Sequence, residues 1–172
     1  MKKLFVSALL ILSSTITFGQ NISIEQVISF YKKKLPVAEE TLAAKNWELT
    51  RAEEPSGFMM GTSTFAYEKS SFSNGATSFI TFRYGDDGII ETVYLQVNNT
   101  EKYNAYMTRL KARGYKLEKS RVEDGSIQKI YRDKTMTFLI KSKTSSKDGV
   151  TNTIYTFFLY RTLGNAHPNT FS

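Results

Sequence analysis

Leu42-Ala43-Ala44-Lys45-Asn46-Trp47-Glu48-Leu49 aligns without gaps to Leu110-Lys111-Ala112-Arg113-Gly114-Tyr115-Lys116-Leu117. Each stretch runs from a leucine on a helical face, past a basic residue, to Asn or Gly, the residue types that tolerate the left-handed conformation ending a helix. An aromatic and a leucine at alternate positions then open a strand. A helix running into a strand, written twice, points to a chain built from two copies of one unit.

Upstream of the first copy, Ser23 and Gln26 have the spacing of a capping box, and Ile22 and Val27 that of a hydrophobic staple. Ile24, Val27, Ile28, Tyr31, Leu35, Ala38 and Leu42 follow at helical intervals. Pro36 interrupts them, so a kink or two successive helices are expected. The period then changes to two, and strands are expected over 47–52, 58–67, 78–84 and 89–97, reversed at Pro55-Ser56-Gly57, Ser73-Asn74-Gly75 and Asp86-Asp87-Gly88. The pattern restarts with Thr100 as N-cap, Tyr103, Tyr106, Met107 and Leu110 on a buried helical side, and Gly114 as the stop. Strands follow over 115–122, 126–132, 135–141 and 151–161, with breaks at Glu123-Asp124-Gly125, Asp133-Lys134 and Lys147-Asp148-Gly149. Thr92-Val93-Tyr94 in the first unit matches Thr153-Ile154-Tyr155 in the second. The expected fold is α+β: two tandem helix-plus-four-strand repeats, residues 20–99 and 100–163, forming one domain with helices on one face of an antiparallel sheet.

Residues 1–19 have the parts of a cleavable export signal: Lys2 and Lys3, an apolar run, then small residues at Thr17 and Gly19. Serines and threonines interrupt that run, which falls short of the roughly 20 apolar residues of a membrane span. Without cysteine, the new N-terminus cannot carry a thioether-linked lipid. The mature chain is therefore expected to be soluble in the periplasm or outside the cell, and not a lipoprotein. Removing 1–19 leaves 21 basic against 16 acidic residues, a formal balance of +5. Export argues against a nucleic-acid partner, so the basic excess reads as a solvated surface. With no disulfide available, stability rests on a packed core.

Catalytic chemistry is poorly represented. The lone histidine, His167, lies in the polar tail 164–172, beside Pro168 and away from rigid partners. Ser29 and Lys32 have Ser-x-x-Lys spacing, but no Ser-Asp-Asn or Lys-Thr-Gly element accompanies them. Glu53-Glu54 and Asp86-Asp87 fall at strand ends or turns, and adjacent strand residues point to opposite faces, so neither pair makes an acid–base site. Asp86-Asp87-Gly88 is too short for a calcium loop of about 12 residues. No catalytic residue, metal site or cofactor is expected.

Two tandem units of helix plus four antiparallel strands, in a secreted chain of this size, resemble the layout of the beta-lactamase inhibitor proteins. The resemblance implies helices on one face of a long sheet whose other face grips a partner enzyme. That family's units carry paired cysteines, which this chain lacks, and none of its inhibitory residues carries over.

If Val93, Leu95 and Val97 face the helices, and Ile154 and Phe158 do so in the matching strand, alternation turns Tyr94, Tyr155 and Phe157 to the opposite face, with Phe82 and Tyr84 as neighbours. Aromatics on a face without helices suit partner binding. The expected function is a secreted, non-catalytic binding protein, an inhibitor or accessory factor of another extracytoplasmic protein. The alternatives are a small-ligand carrier or enzyme with a pocket between sheet and helices, and an envelope-associated structural protein.

Overall fold

The computed structural model describes residues 22–69 and 76–162. The expected signal at 1–19, the turn at Ser73-Asn74-Gly75 and the tail with His167 lie outside the described residues.

Helix α1 (Ile24–Phe30) starts in the expected capping box: Ser23 Oγ accepts from the Gln26 N–H at 3.2 Å, and Gln26 Oε1 accepts from the Ser23 N–H at 3.0 Å. Helix α2 (Leu35–Ala43) holds Pro36 in its first turn, where a missing N–H costs no helical hydrogen bond. The proline thus marks two successive helices rather than a kink. Between them Lys32 adopts φ 63°, its N–H donates to the Ile90 carbonyl at 2.9 Å, and its amine pairs with Glu91. Helix α3 (Thr100–Ala112) is capped by Asn99, whose Oδ1 accepts from the Lys102 N–H at 2.8 Å. Asn99, not the expected Thr100, takes the cap because its amide oxygen reaches the free N–H; Thr100 Oγ1 instead lies 3.1 Å from the Tyr155 hydroxyl.

The strands are β1 (Trp47–Glu53), β2 (Gly61–Lys69), β3 (Ala76–Tyr84), β4 (Ile90–Val97), β5 (Lys116–Glu123), β6 (Ser126–Arg132), β7 (Met136–Lys147) and β8 (Val150–Arg161). They form one antiparallel sheet in the order β1-β2-β3-β4-β8-β7-β6-β5. Each helix stop has the left-handed backbone its sequence suggested, with φ 60° at Asn46 and 89° at Gly114. The second strand begins three residues later than expected. Ser56 and Met59 exchange backbone hydrogen bonds at 2.9 and 3.0 Å across Gly57-Phe58, which puts Phe58 fully exposed on a tight turn.

One face of the sheet carries the core. Ile80 and Phe82 of β3, Val93, Leu95 and Val97 of β4, and Phe138 and Ile140 of β7 bury against Ile24, Val27 and Phe30 of α1, Ala38 and Leu42 of α2, and Tyr106 and Leu110 of α3. Aromatic edges fix the fit: Phe30 meets Phe82 at 5.4 Å, Tyr106 meets Phe157 at 5.6 Å, and Tyr115 meets Phe138 at 5.3 Å. The Tyr106 hydroxyl donates to the Ile22 carbonyl at 2.7 Å, tying α3 to the entry of α1. Each such side chain, fully buried, contributes about 1.5–3 kcal/mol of apolar transfer. The edge strands β1 and β5 are mostly exposed and each carries a register shift, between Leu49 and Arg51 and between Leu117 and Lys119. Such irregularities discourage edge-to-edge pairing.

In β8 the buried phase is Tyr155, Phe157 and Leu159, which reverses the expected facing. Tyr155 stacks on Tyr103 of α3 at 4.1 Å, so Tyr155 and Phe157 look toward the helices while Ile154 and Phe158 look away. Phe82 and Tyr84 are buried on the helix side too, and only Tyr94 of the five named aromatics lies on the helix-free side. The physical reason is register. The closing pair Lys147 and Val150 propagates up the hairpin to set Phe157 opposite Ile140 and Leu159 opposite Phe138, both core residues. The match of Thr153-Ile154-Tyr155 to Thr92-Val93-Tyr94 is thus out of phase by one residue.

Among the described residues no helix is long and apolar enough to cross a membrane.

Candidate functional site

Antiparallel pairing lines up Thr64, Thr81, Tyr94, Phe158, Leu139 and Ile130 across six strands on the helix-free face. Phe79, Gln96, Thr156, Lys141 and Gln128 form the row on one side. Arg83 and Thr92 lie on the other side of the first half, Tyr160, Thr137 and Arg132 on that side of the second. Tyr94 and Phe158 occupy the middle of the sheet, half-buried, with ring centroids 4.9 Å apart and planes at 80°.

The two halves of this face are covered differently. In the second half Leu139 and Ile130 are only 6% exposed although the helices pack on the opposite side. Long basic side chains lie across it. Lys141 Nζ sits 5.4 Å from the Phe158 ring centroid, Arg121 reaches Gln128 Oε1 at 3.2 Å and Glu123 at 2.8 Å, and Arg132 reaches Thr137 Oγ1 at 3.2 Å and Glu118 at 2.9 Å. Their methylene stems can cover apolar surface while their heads stay in water. Burial pushes the Tyr160 hydroxyl up, with Arg132 opposing and Glu118 adding to the shift. In the first half the side chains are shorter: Thr64 and Thr81 pair hydroxyl to hydroxyl at 2.9 Å beside Tyr94. Among the described residues neither Arg83 nor Lys141 has a carboxylate within ion-pair distance.

The arrangement offers groups suited to contact. An aromatic pair supplies apolar area, threonines and Gln96 supply hydrogen-bonding groups, and Arg83 and Lys141 supply positive charge. Among the described residues no three His, Cys, Asp or Glu side chains converge as metal ligands would. Ser29 and Lys32 are not on adjacent helical turns: α1 ends at Phe30, Ser29 Oγ donates to the Gln26 carbonyl at 2.8 Å, and Lys32 is held by Glu91. Asp87 Oδ1 accepts from the Ile89 N–H at 2.9 Å, the turn chemistry its sequence suggested.

Tyr155, Phe157, Phe82 and Tyr84 thus belong to the helix side. Phe158, expected from the sequence to face the helices, instead joins Tyr94 on the other side, with Phe79, Lys141 and Arg83, which sequence reasoning did not single out. A signal for them existed. In β7, Met136, Phe138 and Ile140 alternate with Thr137, Leu139 and Lys141, which fixes the core phase of that strand. Counting back across the two-residue Asp148-Gly149 turn then places Phe158 opposite Leu139, away from the core.

The fold and face define an α+β protein of three helices and one eight-strand antiparallel sheet, with an aromatic and cationic surface opposite the helices. Comparison with protein-family models, curated protein sequences and solved structures gives no match.

Proposed function

We propose that this chain is an exported, non-catalytic binding protein that engages an extracytoplasmic protein through the helix-free face of its sheet, with Tyr94 and Phe158 at the centre. The observation that carries the reading is this half-buried edge-to-face pair, in the middle of the sheet, flanked by Arg83 and Lys141 with no carboxylate partners among the described residues. Aromatic and arginine side chains dominate the energetic centres of protein interfaces, and a positive rim favours a partner with acidic residues around its contact patch. The tandem-unit reading supports the same function by analogy with the inhibitor layout it resembles. Its structural support is that both edge strands shift register directly after the aligned leucines Leu49 and Leu117, following left-handed stops at Asn46 and Gly114.

The test is affinity capture from the cell envelope and culture fluid of the source cell, comparing the wild-type chain with Tyr94→Ala, Phe158→Ala and the control Val122→Ala on the helix side. The expected result is one enriched protein whose affinity falls at least ten-fold with either aromatic variant and stays unchanged with the control. Capture that is equal for all three variants, or retention only on anionic polysaccharide that salt releases, overturns the reading.

A further inference from the structure

We propose that two copies of this chain pair through the outer edge of the β7–β8 hairpin, β8 against β8 and antiparallel, centred on Asn152. Both strands are 12 residues long, yet β4 pairs with β8 only over Tyr155 to Leu159, and β6 with β7 only over Thr137 to Ser142. The five pairs from Lys143 with Ile154 to Lys147 with Val150 therefore project as a two-stranded arm with no neighbouring strand on either side among the described residues. Two strands alone are marginal in water, and a free edge presents a row of unpaired backbone groups.

The two edges differ in what they can accept. The hairpin closes with Asp148 at φ 52° and Gly149 at φ 76°, a type I′ turn whose closing pair, Lys147 and Val150, exchanges both backbone hydrogen bonds. Alternation then directs the N–H and C=O of Val150, Asn152 and Ile154 toward β7 and those of Thr151 and Thr153 outward. The outer sequence Val150-Thr151-Asn152-Thr153-Ile154 reads almost the same in both directions. Antiparallel self-pairing about Asn152 sets Thr151 opposite Thr153 of the second copy, where their outward groups exchange hydrogen bonds. It also sets Val150, 70% exposed, opposite Ile154 of the second copy on the same face. The β7 edge cannot do this: pairing Lys143-Thr144-Ser145-Ser146-Lys147 about Ser145 sets residue 143 opposite residue 147, lysine against lysine. Charge therefore blocks one edge and leaves the other. Five residues per copy form a small contact, below the roughly 1,200 Å² of a stable interface, so the pairing is weak and concentration-dependent.

The chain has no cysteine, which permits a direct test. Asn152 would sit in a non-hydrogen-bonded pair with its own copy, with Cα atoms about 4.5 Å apart, within disulfide range. Asn152→Cys should oxidise to a covalent dimer at least ten-fold faster than Ser145→Cys, which faces Asn152 from β7, and adding Thr151→Pro should remove the difference. In the unmodified protein, amide exchange at Thr151 and Thr153 should slow with rising protein concentration by a larger factor than that at Asn152, whose N–H already bonds β7. Equal oxidation rates for the two cysteine variants, or protection of Thr151 and Thr153 that requires another protein, overturn the proposal.

Discussion

Tyr94 and Phe158 stand directly opposite each other in the central strands β4 and β8, edge to face at 4.9 Å, while Leu95 and Phe157, one residue along each strand, form the matching pair on the buried side. One strand pair thus presents aromatic surface to solvent and to the core.

That adjacency separates stability from recognition. Phe157 is 1% exposed and touches Tyr103 and Tyr106, so Phe157→Ala should cost about 3–5 kcal/mol. Phe158→Ala should cost about 1–2 kcal/mol, mostly the edge-to-face contact and partial burial. Urea unfolding midpoints distinguish the two; equal losses would mean that the helix-free face is as much core as the helix side.

Gly61 opens β2 where a Cβ would meet the Tyr84 ring at 2.6 Å and Pro55 at 2.7 Å. Tyr84 is held in place because its hydroxyl donates to the Glu53 carbonyl at 3.1 Å. Gly61→Ala should therefore overpack the site and destabilise the fold by about 1–3 kcal/mol. Shortening the opposing ring with Tyr84→Leu in the same chain should remove the ring's share of that cost and leave the share set by Pro55. An alanine that leaves thermal unfolding unchanged would show that Tyr84 swings away freely.

Burial holds the hydroxyls of Tyr106 and Tyr115 well above the usual tyrosine range, with Glu25 adding to the first and Asp133 to the second, where Arg113 opposes. Tyrosines in the unfolded chain ionise near pH 10, so the folded state binds more protons above that point. The stability these groups contribute is complete below about pH 10 and is lost as pH rises from there toward their folded values. Tyrosinate absorbance should accordingly show two tyrosines ionising only together with the loss of circular dichroism. Reversible ionisation of every tyrosine in the folded protein would count against their burial.

Much of the architecture was legible because local chemistry specifies it. The Ser23 capping box, Pro36 at a helix start, and Asn46 and Gly114 as stops each answer a need of the few residues around them. The site was only partly legible. Tyr94 was readable because β4 alternates cleanly, Val93, Leu95 and Val97 against Tyr94 and Gln96. In β8 both phases are apolar or aromatic, so periodicity alone could not say whether Phe157 or Phe158 faces the helices.

The sequence by itself determined the α+β class and, among the described residues, the reversals at 86–88, 123–125 and 148–149, since capping, turn and propensity effects act over a few residues; β7 ran on to Lys147, six residues past its expected end. Tertiary structure alone decided that β4 and β8 meet in the middle of the sheet, which side of β8 packs on α3, and that Leu139 and Ile130 are buried on the opposite face. Those outcomes depend on strand register, and a shift of one residue in register exchanges the two faces without changing any local preference.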